Sequence, residues 1–104
     1  MNEEEFEIIS EKSAKGVRVT VRGHVGLVYT DMLQKVMNEA IQEKPAEITV
    51  NMQDVVYLSS VGLKIILKAY KDCQKAGSVL GIEMPSENVL NILKMTALDG
   101  LLII

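Results

Sequence analysis

Apolar and polar residues alternate early in the chain: Phe6 and Ile8, then Val17, Val19 and Val21, with Ala14-Lys15-Gly16 between the two runs. A period of two sends every second side chain to one face, so the pattern predicts two antiparallel strands joined by a short turn. From Met32 the spacing changes. Leu33, Val36, Met37, Ala40 and Ile41 recur every three or four residues and predict an amphipathic helix, with Thr30 as its cap, Asp31 in its first turn and Lys44-Pro45 as its end. Ile48, Val50 and Met52 alternate with Thr49 and Asn51 and predict a third strand, with the segment Asp54 to Leu58 leading out of it.

Two adjacent serines, Ser59 and Ser60, stand where that segment gives way to a second helical pattern. Leu63, Ile66, Leu67, Tyr70 and Cys73 form its apolar stripe, and Lys64, Lys68, Lys71 and Lys75 fall on the opposite face. Gly77 closes this helix, Val79 to Met84 reads as another apolar strand, and Pro85-Ser86 opens a last helix through Val89, Leu90, Ile92 and Leu93. The closing LLII is a terminal strand or a packed tail. Strands and helices alternate in the second half, which predicts an α/β domain with right-handed crossovers. Its mixed four- to five-stranded sheet has a parallel portion and carries its helices mainly on one face.

Length and charge narrow the possibilities. At 104 residues, 48% hydrophobic and 24% charged, residues 1–104 suit one compact domain. The acidic start, MNEEEFEIIS, lacks the basic-then-apolar order of a secretory signal, and no apolar run approaches the roughly 20 residues of a membrane helix, so a cytoplasmic location is expected without membrane insertion. A net charge of -3 and a pI of about 5.1 argue against direct nucleic-acid binding.

Candidate chemistry is sparse. One cysteine and one histidine build neither an internal disulfide nor a protein-only zinc site, so no metal is expected. Cys73 lies on an apolar stripe and reads as a core residue; His24 reads as a loop histidine without a nucleophile to serve. Met32, Met37, Met52, Met84 and Met95 read as core or groove filler, and the lysine stripe as a solvated face. No phosphate-binding glycine loop, dinucleotide fingerprint or nucleophile elbow is present, which argues against an enzyme and leaves no cofactor to expect. The serine pair remains. A hydroxyl at a helix start is a cap by default, but a cap needs only one, and a helix start also tolerates a phosphate.

YLSSVGLKIILKAYKDCQKAG and MPSENVLNILKMTALDGLLII resemble the STAS domain, in particular the bacterial anti-sigma-factor antagonists, over about Glu4 to Ile104. The resemblance rests most on Ser60, Gly62 and Leu63, and on Thr96-Ala97-Leu98-Asp99, which matches the family's threonine/serine-glycine-leucine ending. It implies a partner-switching cycle in which the unphosphorylated protein binds an anti-sigma factor that is also a serine kinase. That kinase then phosphorylates it and breaks the complex, and a serine phosphatase restores it. By position the acceptor is Ser60, with Ser59 the second choice. A weak homodimer is compatible with this reading, and a non-phosphorylated STAS adaptor in a transporter or signalling assembly is the alternative to it.

Three positions depart from the family pattern. Ser59 stands where many members carry aspartate before the acceptor serine, Gly26 where the loop after the second strand is often acidic, and Asn51 where the central strand often ends in aspartate. A kinase that reads those carboxylates would meet neutral groups here. The loop from His24 to Thr30 and the helix start from Ser60 to Lys64 lead into neighbouring crossovers and are expected to lie side by side. The candidate partner-binding residues are therefore His24, Gly26, Val28, Thr30, Ser59, Ser60, Gly62, Leu63 and Lys64. Ser60 is expected to cap its helix as well as to accept phosphate, and Gly62 to lie at the patch centre, where a larger side chain would cost the fold little.

Overall fold

The computed structural model describes residues 5–104; the acidic Met1 to Glu4, on which part of the leader argument rests, lies outside the described residues. Strands β1 (Phe6–Ser13), β2 (Gly16–Val25), β3 (Glu47–Leu58) and β4 (Val79–Glu83) form one sheet in the order β1-β2-β3-β4. The β1–β2 pair is antiparallel, as the short turn requires, and β2–β3 and β3–β4 are parallel, joined by helices α1 (Thr30–Gln42) and α2 (Ser60–Ala76). Helices α3 (Glu87–Met95) and α4 (Asp99–Leu102) follow β4.

Register explains why one face of the sheet is apolar. Val17, Ile48 and Leu80 pair across three strands, as do Val19, Val50 and Ile82, and all six are buried. Against these rows pack Leu33, Met37 and Ala40 of α1, Ile66, Ala69 and Cys73 of α2, Val89 and Leu93 of α3, and Leu102. Each large side chain contributes about 1.5–3 kcal/mol by leaving water. The intervening residues give the other face its polarity: Arg18 Nη2 lies 2.9 Å from Glu83 Oε1, and Arg22 faces Glu7 and Asp54 at 3.4 and 3.7 Å. These exposed pairs add little stability but keep the uncovered face wet.

The expected lead-out from Asp54 to Leu58 is part of the strand. Its apolar alternation fails because the β2–β3 register slips twice, between Thr20 and Arg22 and between Gly23 and His24. Each bulge sets an extra β3 residue against its partner, so the buried positions run 48, 50, 52 and then 55, 58. Side chains anchor the irregular backbone: Asn51 Oδ1 accepts from the Gln53 amide at 3.0 Å, and Asn88 Nδ2 donates to the Val56 carbonyl. Gly23, at φ +90°, turns β2 through the same region, where a Cβ would run into the Glu5 carbonyl.

Helix ends differ from expectation in two places. Thr30 is the first residue of α1 rather than its cap; its hydroxyl donates to the Leu27 carbonyl at 2.8 Å. A 3-10 turn, Leu27–Tyr29, runs straight into α1, and its own backbone bonds replace a side-chain cap. The helix after Pro85 is not the last, because the closing LLII divides between α4 and a single parallel bridge from Ile103 to Ile82. Gly77 closes α2 at φ +82°, with the Ser78 amide donating to Cys73 O at 2.8 Å.

Ala97 closes α3 in the same way, with the Leu98 amide donating to Leu93 O at 2.8 Å, but it holds φ at +59° without being glycine. Ala97→Gly is therefore expected to stabilise the protein by about 0.5–1 kcal/mol, read as a higher urea midpoint at unchanged slope.

Candidate functional site

Val25 and Leu58 are the last paired residues of the parallel β2–β3 ladder, so both chains leave the sheet at the same end. The Ser59 amide continues the ladder by donating to the Val25 carbonyl at 2.9 Å. After β2 the chain passes through Gly26 and the Leu27–Tyr29 turn into α1; after β3 a single residue, Ser59, intervenes before α2. The loop His24 to Thr30 and the start of α2 are thus neighbours, as the topology argument requires.

The two serines do different jobs. Ser59 is extended and 6% exposed, and its Oγ accepts from the Gly62 amide at 3.0 Å: it is the cap of α2. Ser60 is the first helical residue and exposed, and its hydroxyl has no hydrogen-bond partner among the described residues. The expectation that Ser60 caps α2 is corrected accordingly. The structural task falls to Ser59, and the Ser60 hydroxyl is left exposed.

Gly62 also departs from expectation. It is buried, and a Cβ there would sit 2.9 Å from Leu58 Cδ1, 3.2 Å from Val25 Cγ1 and 3.3 Å from Ser59 Oγ. It holds α2 against the end of the β2–β3 ladder and is not an accessible patch centre. Leu63 and Thr30 are likewise buried supports, whereas Val28 and Lys64 are exposed, and His24 and Gly26 are intermediate. His24 stacks on Tyr57 with ring centroids 4.6 Å apart, which fixes the rim beside Gly26.

The sequence reading names Val28 and the segments holding Leu27 and Val61, but it reads Met32 as core or groove filler and does not single out Tyr57. Leu27 is 70% exposed and Val28 85%, and Met32, Tyr57 and Val61 also show large surfaces. Leu27 and Val28 line a hollow of about 270 Å³ with His24, Gly26 and Tyr29. A signal was available: Val28 lies off the β2 alternation and Val61 off the α2 apolar stripe, and apolar residues at such positions are either wasted or used. No acidic side chain occurs between His24 and Thr30 or between Ser59 and Lys64.

Among the described residues no three metal-ligating side chains converge. Cys73 is buried in the core, where desolvation and then the adjacent Asp72 carboxylate push its thiol pKa up, disfavouring the reactive thiolate. Among the described residues no helix is long and apolar enough to cross a membrane.

The model of the STAS domain matches residues 8–104, and the chain belongs to that family. The anti-sigma-B factor antagonist of Bacillus subtilis (strain 168) is 22% identical over 92 residues, spanning 88% of this chain and 84% of that protein. An anti-sigma factor antagonist from Mycobacterium paratuberculosis has the same fold, with a TM-score of 0.85 at 21% identity over 94% of this chain and 83% of that one. So does the anti-sigma factor antagonist SpoIIAA in its unphosphorylated form, with a TM-score of 0.80 at 14% identity over 93% and 86% of the two chains. Bacillus SpoIIAA in its phosphorylated form gives 0.76 at 13% identity over 93% and 89%.

Substitutions separate the supports from the exposed group. Ser59→Ala is expected to cost about 0.5–2 kcal/mol through loss of the buried cap, and Ser60→Ala less than about 0.5 kcal/mol, measured by urea denaturation. Gly62→Gln is expected to destabilise the domain, since overpacking costs about 1–3 kcal/mol against at most about 1 kcal/mol gained in helix propensity. A Gly62→Gln protein as stable as the parent would contradict this packing.

Proposed function

We propose that this protein is an anti-sigma-factor antagonist that binds an anti-sigma factor with serine kinase activity, and that phosphorylation of Ser60 releases it. The observation that carries the reading is the division of labour at the start of α2, where a buried Ser59 caps the helix and an exposed Ser60 presents a free hydroxyl, at the end of the sheet where Leu27 and Val28 are also exposed. The resemblance in sequence and fold to proteins named as anti-sigma factor antagonists supports it.

The switch follows from elementary electrostatics. The kinase moves the γ-phosphoryl group of ATP to Ser60 Oγ, the hydroxyl proton goes to a base on the kinase, and ADP leaves. Hydrolysis by a serine phosphatase returns the hydroxyl and inorganic phosphate. Phosphoserine carries nearly two negative charges at neutral pH, and burying them against an apolar partner surface costs far more than burying a hydroxyl. The domain itself loses nothing, because Ser60 supports no internal contact and the positive end of α2 tolerates an anion. The kinase, its ATP and the phosphatase belong to other chains, and the domain acts in a cytoplasmic complex by binding alone.

Calorimetric titration against the anti-sigma factor of the same host tests the proposal. Ser60→Ala is expected to bind as the parent does, and Ser60→Asp at least about tenfold more weakly, or 1.4 kcal/mol. Equal binding by both variants would reduce Ser60 to a bystander and favour a non-phosphorylated adaptor. Phosphopeptide mapping from the host provides the second check, with modification expected on Ser60 and none on Ser59.

A further inference from the structure

Among the four lysines on the outer stripe of α2, Lys68 is engaged at 2.8 Å by Asp72, one turn further on. Lys64 is exposed, and no ion pair holds it among the described residues. It lies four residues after Ser60 on the same helix. Residues at that spacing are surface neighbours, and an anion placed N-terminal to a cation is the favourable orientation because both charges then also suit the helix dipole. The first turn of α2 has no acidic residue of its own. Ser59 occupies two of its amides, Gly62 N–H through Oγ and Leu63 N–H through its carbonyl, which leaves those of Ser60 and Val61.

We infer that Lys64 is the internal counter-ion of Ser60 once that residue is phosphorylated, drawing the phosphate back along α2. The inference rests on the phosphorylation reading above and adds a second effect to it. Modification then withdraws a cation from the docking surface while adding an anion, so a partner that approached Lys64 with a carboxylate loses both contacts. The same pairing keeps the modified helix start ordered, so the released protein remains a folded substrate for the phosphatase.

Titratable groups that neighbouring elements bring to this end of the sheet include His24 at the close of β2, Tyr57 stacked on it, Tyr29 in the turn before α1 and Asp31 in the first turn of α1; His24 and Asp31 are the ones that carry charge near neutral pH. They supply the controls. Phosphoserine is installed at position 60 of the full chain by amber suppression, which needs no kinase, and its second ionisation is followed by phosphorus NMR. Lys64→Ala is expected to raise that pKa by about 0.3 pH unit relative to the parent, the size of an exposed helix ion pair. Lys64→Arg should restore the parental value, and the parent's difference from Lys64→Ala should collapse in about 1 M salt. The Lys64 effect should persist in His24→Ala and Asp31→Asn backgrounds. An unchanged pKa in Lys64→Ala, an equal shift from Lys68→Ala, or loss of the Lys64 effect in either background would overturn the assignment. Because no partner or kinase enters the measurement, failure of the partner-switching reading would leave this result standing, and the reverse also holds.

Discussion

Val25 and Leu58 close the parallel ladder between β2 and β3, and the 2.9 Å hydrogen bond from the Ser59 amide to the Val25 carbonyl joins that ladder to helix α2. Every feature of the working end depends on this join. It holds Ser59 in the extended conformation a cap requires, directs its hydroxyl to the Gly62 amide, and brings Gly62 so close to Val25 and Leu58 that a Cβ there would press on their side chains. Two strand ends, a cap and a packing glycine thus fix where α2 begins. The position of Ser60 follows from them.

Under the proposed phosphorylation of Ser60, the two serines separate stability from signalling. A hydroxyl that both capped the helix and accepted phosphate would change the cap whenever the switch was thrown, and the about 0.5–2 kcal/mol carried by a cap would vary with the signal. Here the buried neighbour carries the cap and the exposed one carries no internal contact. The aspartate that the resemblance would place at position 59 is also a capping residue, so its replacement by Ser59 keeps that capability. What the replacement removes is a negative charge beside the acceptor. With Gly26 also neutral, the segments His24 to Thr30 and Ser59 to Lys64 carry no carboxylate. A kinase meeting this surface would recognise shape and apolar contact more than charge.

The rest of the molecule is a platform for that end. Paired rows such as Val17, Ile48 and Leu80 bind strands and helices into one core, while Arg18, Arg22 and their carboxylate partners keep the uncovered sheet face hydrated. The bulges in β3 lengthen the strand path by two residues before Leu58 and carry Tyr57 to the rim, where His24 stacks on it.

Sequence alone determined the order of the four strands and of helices α1 to α3, the face these helices bury and the closing of α2 at Gly77, because hydrophobic period and glycine conformation are local properties. It also picked out the serine pair and the family. The tertiary structure decided what depends on distant neighbours. The role of Gly62 needed Val25 and Leu58 beside it, and the strand identity of Asp54 to Leu58 needed the register slips against β2. Thr30 lost its capping role to a turn whose backbone bonds no periodicity reveals. Which serine caps and which is free turned on a single residue of helix boundary. The carbonyl of Val25, accepting from the Ser59 amide, fixed that boundary from another strand, which is why residue spacing along the chain could not.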